Sequence, residues 1–400
     1  MSSISKKLQR NYTYDISAEF VIKKDTYQLD IKNLYIDNNY EKNFTPLSYI
    51  YATIPLSTYD LMVSNRNDGR IILSIETKNV DTGIKKLYFR KSFLYNFPVI
   101  NMKEINKEIT KAGKKGENDD DSKRSYIGLI DLDSINRNRM IINNLFANTN
   151  MASITHQYLK QKIIREPFDN NPNFDFFFVP PIEGIPDLLK YLNSRSSFYN
   201  TGYRYFDGYQ CAYLLSNKGT PIQSKDGSFS TYNINIVSEE ADPSASANID
   251  GFIEDLDKKV YTIQVVDKLI DFAEDNVQDN IFNQIYAIDY EGNSKKINLD
   301  VHHIDESKTK PKIVRVFDNN LDYANTLASG VEINADTVIV SQYSLNNAIL
   351  DPSKEFILTF IDKYKHKNGR YLLTRKVESY DGSTCITIMY FKKVKDYKTR

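Results

Sequence analysis

The segment Glu355–Val394, EFILTFIDKYKHKNGRYLLTRKVESYDGSTCITIMYFKKV, holds three runs rich in β-branched and aromatic residues, separated by KNGR and YDGST. Each run has the length of a strand, and the breaks carry turn residues. The expected product is a three-stranded antiparallel meander. The chain opens in the same style. In TYQLDIKNLYI the residues Tyr27, Leu29 and Ile31 alternate with Gln28 and Asp30, the period-two signal of a sheet with one wet face. RIILSIETKNV and KKLYFRKSFLYNFPVI follow, with turns expected at Asn67–Gly69 and Asp81–Gly83. A β-barrel or sandwich is the simplest fold for the first hundred residues.

Between these ends the period changes. After the strand-like YIGLIDL, the stretch INRNRMIINNLFANTNMASITHQYLKQKII places Ile141, Leu145, Phe146, Met151, Ile154 and Tyr158 near helical spacing, interrupted at Asn148–Asn150. Two short helices are expected there. In FDFFFVPP a strand runs to Val179, and Pro180 and Pro181 remove two amide donors, which should end its pairing. Gly184 then frees the backbone, Pro186 and Asp187 suit the first turn of a helix, and Leu188, Leu189 and Leu192 give it a buried stripe ending near NSRSS. GYRYF and YQCAYLL read as two strands joined by Asp207 and Gly208 in a two-residue type I′ turn.

Two polar stretches punctuate the chain. KEINKEITKAGKKGENDDDSKR, Lys103 to Arg124, buries too little to order itself, and its second half is expected to be a mobile loop. SEEADPSASANIDG, Ser238 to Gly251, has linker composition. Beyond it, KKVYTIQVVDKLIDF, DNIFNQIYAIDY, PKIVRVFDN and DTVIVSQYSL read as strands. The expected fold is mainly β with an α+β middle: two β-rich lobes flanking a small helix-and-sheet domain. The expected divisions are 1–125, including the charged loop 103–124; 126–237; a linker 238–251; and 252–400, ending in the meander. A chain of 400 residues has room for two to three domains.

Composition removes several functional classes. Lys plus Arg and Asp plus Glu both number 52, so no net field draws the chain to nucleic acid or an anionic membrane. No apolar run reaches membrane-span length, and MSSISKKLQRNYTYD lacks the apolar core of a secretory signal, so folding in the cytoplasm is expected. Cys211 and Cys385 are isolated, which excludes a disulfide framework.

Sequence signatures of catalysis are missing: there is no phosphate loop, dinucleotide fingerprint, zincin motif or nucleophile elbow. The weaker candidates each have a plainer reading. Asp119, Asp120 and Asp121 read as a solvated loop and not a cation site. His302 and His303, followed by Asp305 and Glu306, would point to opposite faces of a strand and so fail to share one ion. His156 reads as an ordinary helix position. DNNPNFD, Asp169 to Asp175, imitates the start of a calcium loop but lacks its glycine and carries Pro180 where the bidentate glutamate belongs. Asp131 and Asp133 could be paired carboxylates on a strand, against a surface pair held by Arg137 or Arg139. Cys211 reads as a small buried thiol within a strand. Tyr203, Tyr205, Tyr209 and Tyr213 alternate and could stack sugars or form a protein interface. The chain has no Trp, the preferred sugar-stacking residue, which favours the interface. No catalytic, cofactor-binding or metal residue is therefore assigned, and no cofactor is expected.

The order of elements in the middle of the chain, carried by LFANTNMASITHQYLKQ and FFFVPPIEGIPDLLKYLNSRSSFYNTGYRYFDGYQCAYLLSNKG, resembles the hub proteins of bacteriophage tails and baseplates and of related contractile injection machines. In detail the resemblance covers Leu145 to Gly219; elsewhere it is a plan of lobes. It implies a non-enzymatic virion protein, made and assembled in the host cytoplasm. It also implies a trimeric ring in which two tube-like barrels per chain form a pseudo-sixfold collar. Thr26–Val99 would supply much of the first barrel and Val260–Val394 the second. The implied partners are further copies of the chain, the tail tube and tape measure proteins, the central spike or tip, and other baseplate proteins. A cell-surface carbohydrate-binding adhesin is the alternative; a wall-degrading hydrolase using Asp131 and Asp133 is a further one.

Overall fold

Period-two alternation fixes the first lobe. In the computed structural model, which describes residues 8–9, 12–41, 43–80, 82–98, 122–159, 163–200, 202–217, 231–237, 252–255, 260–266, 270–273, 284–288, 294–298, 312–315, 337–343, 350–360 and 362–394, strand β1 (Leu8–Gln9) is followed by β2 (Tyr12–Ile22), β3 (Asp25–Asn39), β4 (Leu47–Pro55), helix α1 (Leu56–Ser64), β5 (Arg70–Asn79), β6 (Lys85–Asn96) and β7 (Ser122–Ile130). The pairings run β3–β2–β5–β6–β7–β4 and return from β4 to β3, so the six antiparallel strands close on themselves. Closure leaves no strand edge in this barrel. Ile50, Ala52 and Ile54 of β4 and Ile71, Leu73 and Ile75 of β5 point inward around Phe20 and Phe93, each Ile, Leu or Phe contributing about 1.5–3 kcal/mol by burial. Helix α1 was not anticipated. It follows Pro55, and its Met62 carbonyl accepts from the buried Tyr95 hydroxyl at 2.7 Å. Burial pushes that phenol up to about 12.

Of the charged segment 103–124, residues 103–121 lie outside the described residues. Its last three belong to a strand and not a loop, because Ser122, Lys123 and Arg124 pair with Pro55, Ile54 and Thr53. Strand β7 therefore crosses position 125.

The middle lobe holds α2 (Leu132–Arg139), β8 (Ile141–Asn150), α3 (Met151–Leu159), β9 (Ile163–Arg165), β10 (Asn173–Glu183), α4 (Gly184–Ser196), β11 (Tyr203–Asp207) and β12 (Ala212–Ser216). Three expectations are corrected here. Ile141–Asn150 is a strand, not a helix: Ile142 and Phe146 are buried while Ile141 and Leu145 are exposed, and a spacing of four satisfies both the period of two and the period of 3.6. Strand β10 continues through Pro180 and Pro181 as an irregularity between Val179 and Ile182, after which pairing to β8 resumes at Ile182 and Glu183; a bulge tolerates the missing donors. The hairpin loop between β11 and β12 has four residues, Gly208 to Cys211, and Asp207 pairs with Ala212, so no two-residue turn with positive φ forms. Helix α4 forms as expected, burying Leu188, Leu189 and Leu192 and ending at Ser197. Gly184 has φ +76, and an added Cβ would lie 2.1 Å from the Asn138 carbonyl oxygen. Gly184→Ala is expected to destabilise the protein by on the order of 3 kcal/mol, read as a fall in urea midpoint at unchanged slope.

The second lobe comprises β13 (Thr231–Val237), β14 (Phe252–Asp255), β15 (Val260–Val266), β16 (Ile270–Ala273), β17 (Gln284–Ile288), β18 (Ser294–Asn298), β19 (Lys312–Arg315), β20 (Thr337–Tyr343), β21 (Glu355–Phe360), β22 (Gly369–Asp381) and β23 (Thr384–Lys393). Strands β21, β22 and β23 are the expected antiparallel meander. Around it the path runs β14–β15–β13–β21–β22–β23–β20–β16, with β13 parallel to both neighbours, and β1 pairs with β14; β17, β18 and β19 form a separate sheet. Strand β22 also pairs with β3, Arg375–Asp381 opposite Asn39–Asn33, so both lobes share one 15-stranded sheet. The fold is mainly β with a few helices, as expected. The linker 238–251 lies outside the described residues.

Candidate functional site

The hairpin β11–β12 reaches the three large hydrophobic cores among the described residues from one short stretch of chain. Tyr205, Ala212 and Leu214 belong to the core of the middle lobe, Phe206 to that of the second lobe with Tyr213 packed against it, and Tyr209 packs on the barrel core. Alternation allows this: neighbours on a strand face opposite sides, and the loop carries Tyr209 away from both. The Gly208 N–H donates to the Cys211 carbonyl at 3.0 Å and closes the loop.

Each contact is specific. The Tyr209 hydroxyl lies 2.6 Å from Ser48 Oγ, and its ring centroid is 4.9 Å from Phe93 and 5.4 Å from Phe89. Burial pushes the Tyr209 phenol up, so it is a neutral donor or acceptor. The Gln210 amide donates to the Tyr88 carbonyl. Phe206 meets Tyr40 edge-on at 4.7 Å, and the buried Arg204 Nη1 donates to the Leu373 carbonyl at 3.3 Å. Asp207 takes a bidentate pair from Arg137 of α2 at 2.8 and 2.9 Å, while its own N–H donates to the Phe44 carbonyl at 2.6 Å. Such fork geometry is among the stronger polar contacts.

Beneath the hairpin lies a cavity of about 50 Å³, lined by Tyr40, Tyr88, Tyr209, Tyr213, Lys376 and Glu378 among others. Glu378 is 1% exposed and Lys376 3%. The Glu378 carboxylate accepts from Asn38 Nδ2 at 3.2 Å, Tyr88 at 3.2 Å and Tyr380 at 3.1 Å, with Lys376 Nζ at 3.5 Å. Burial first, and the Glu378 charge second, hold the hydroxyls of Tyr40, Tyr88 and Tyr380 well above the ordinary phenol range. Beside this cluster, Arg375 of β22 grips Asp37 of β3 through two bonds of 2.8 Å, and that hydrogen bonding raises the guanidinium pKa despite burial. Lys392 meets Glu41 at 2.7 Å. The arrangement fixes the relative placement of three lobes.

The residues singled out from sequence fall into place accordingly. Asp131 and Asp133 do not form a paired-carboxylate site on a strand. Asp131 caps α2, accepting from the Asp133 N–H and Ser134 Oγ, and pairs with Lys91 at 2.5 Å, whereas Asp133 is exposed and Arg137 serves Asp207. Cys211 sits half-buried in the loop, not within a strand. The tyrosines form no exposed row: Tyr205 is buried, and Tyr203, Tyr209 and Tyr213 are half-buried. His156 is an exposed helix position. In the Asp169–Asp175 turn, Asp169 accepts from the Asn200 N–H and Asn170 donates to the Ser197 carbonyl. His302, His303, Asp305, Glu306 and Asp119–Asp121 lie outside the described residues. Among the described residues no group of three or more His, Cys, Asp or Glu could hold a metal ion, and no helix is long and apolar enough to cross a membrane. The junction pair Lys376 and Glu378 was missed, although its signal was available: in TRKVES the two charges share one face of an alternating strand beside apolar neighbours.

A family model described as "Bacteriophage PBS1 gene 109 protein" matches residues 2–394. Among solved structures, the chain is similar to the tail protein from Neisseria meningitidis MC58, with a TM-score of 0.54 at 9% identity over 94% of this chain and 96% of that one. It is similar to the 43 kDa tail protein of prophage MuSo2 from Shewanella oneidensis, with a TM-score of 0.54 at 8% identity over 95% and 97%. No curated protein matches the sequence.

Proposed function

We propose, from the premise that this chain belongs to the bacteriophage PBS1 gene 109 protein family and has the fold of phage tail proteins, that it is the hub of the tail. In this reading it is a structural virion component, not an enzyme, and trimerises into a ring that joins the tail tube to the central spike or tip. The observation that carries the reading is the pairing of β22 with β3, which fixes a closed barrel and a second β lobe in one sheet. A chain with two such lobes held rigidly together is suited to a threefold ring that presents a near-sixfold surface to a hexameric tube. The tube-like domains would be residues 1–125, extended by the rest of β7, and 252–400. Of the expected middle domain 126–237, strand β13 (Thr231–Val237) goes instead with the second tube-like domain, because it pairs with β15 and β21 and buries Tyr232, Ile234 and Ile236 in that core, and 238–251 would be a connection within that domain.

The proposed partners are further copies of the chain, the tail tube, the tape measure, the spike or tip, and baseplate neighbours. The adhesin alternative loses its motivating observation, because the tyrosines serve the lobe junction. Gold-labelled antibody against this chain, applied to purified tails, should mark the distal end of the tube. Label along the tube's length or at the head would contradict the hub assignment.

A further inference from the structure

Two exposed apolar faces lie outside the lobe junction. On the two-stranded sheet β8–β10, Phe178 lies opposite Leu145 and Phe176 opposite Ala147, and Phe176, Phe178, Leu145 and Ile141 are 56–71% exposed. Exposed Asp175 and Glu183 stand near the two ends of β10. At the β5–β6 end of the barrel, Val80, Ile84 and Leu87 are 49–59% exposed. Their neighbours Lys78, Lys85 and Lys86 are exposed too, with Lys85 shared between Asp15 at 3.5 Å and Glu76 at 4.0 Å.

We propose that these faces dock on each other between copies of this chain: the β8–β10 face of one copy on the β5–β6 end of the next. The first face offers about 500 Å² of apolar surface, at the upper end of what a soluble monomer tolerates. Glu183, opposite Ile141, adds an acidic group to this face, and the exposed Lys78 and Lys86 edge the other. With their polar rims the pair of surfaces approaches the roughly 1,200 Å² at which specific association begins. A contact between two different faces is heterologous, so a dimer keeps one unused face at each end, and with the threefold rotation of the hub reading the contacts close into a ring. This deepens the hub reading and rests on it, naming the surfaces through which the ring would form.

The purified full-length chain supplies the test, by analytical ultracentrifugation over a wide concentration range. Wild type should associate beyond a dimer. Phe176→Ser with Phe178→Ser, and separately Ile84→Ser with Leu87→Ser, should each weaken association by about 30-fold or more, with circular dichroism unchanged because all four side chains are exposed. An equimolar mixture of the two double variants should give dimers and no larger species, because each variant retains the face the other lacks. Association of wild type that neither double variant weakens would overturn this pairing and leave the hub reading standing on its location in the particle. A wild type that stays monomeric throughout, or a mixture that gives no dimer, would overturn the pairing as well.

Discussion

Glu378→Ala is expected to lower stability by about 3–5 kcal/mol, because it leaves the Lys376 ammonium in the lobe junction without its carboxylate. Glu378 is also the acceptor for Asn38, Tyr88 and Tyr380, and donors left unanswered in a buried place add to the loss. Lys376 Nζ retains its bond to the Leu350 carbonyl at 2.9 Å, which keeps the side chain in place and prevents it from escaping to water. Urea denaturation of the variant would measure the loss directly. Removing both charges together, as Lys376→Met with Glu378→Leu, should recover the part due to the stranded ammonium, since a buried pair is costly chiefly when one partner stands alone, and leave the part due to the unanswered Asn38, Tyr88 and Tyr380 donors. If Glu378→Ala melted like wild type, the cluster would contribute nothing to holding the lobes, and the account of the junction would be wrong.

The second large effect concerns the hairpin. Phe206→Ala should cost about 3–5 kcal/mol, as a buried ring leaves a cavity in the core of the second lobe beside Tyr40. Tyr209→Ala removes the ring that packs on Phe89 and Phe93 of the barrel, with a cost of similar kind. Tyr209→Phe keeps the ring and loses only the contact with Ser48, for about 1 kcal/mol. Because the two rings sit on one hairpin and seal different lobes, Phe206→Ala and Tyr209→Ala together should be non-additive. Their combined signature is a change in cooperativity: one urea transition for wild type, and separate transitions once the lobes are uncoupled. A double variant that still unfolds in a single step with additive losses would show that the hairpin does not couple the lobes.

Much of this was legible from sequence where alternation was strong and local. The meander Glu355–Val394 and strands β3, β5, β6 and β7 of the barrel follow from side-chain period, as does helix α4 from Pro186, Asp187 and its leucine stripe; β2 and β4 were not singled out by it. Ambiguity arises where one pattern satisfies two periods: Ile141 and Leu145 are four apart, which fits one face of a helix as well as the exposed face of strand β8. Pro180 and Pro181 misled because a bulge can absorb the two missing donors, a matter of register that only the partner strand decides. The Asp207–Gly208 pair misled for another reason. Asp207 is committed to Arg137, an element distant in sequence, and the loop is extended to seat Tyr209 against Ser48. Closure of the barrel by β3 and β4, and the joining of lobes by β3 and β22, are long-range pairings that no local pattern encodes. The junction charges were visible as Lys376 and Glu378 on one face of a strand, but their meaning required knowing that this face is covered by the hairpin.

On the hub reading proposed above, the chain forms a ring whose two β lobes line the end of the tail tube. A cryo-electron microscopy reconstruction of the assembled particle tests it most directly. The predicted result is a threefold ring at the distal end of the tube, each chain placing its closed barrel and its second β lobe side by side in the tube wall. Density for this chain elsewhere in the particle, or only one of its lobes in the wall, would contradict it.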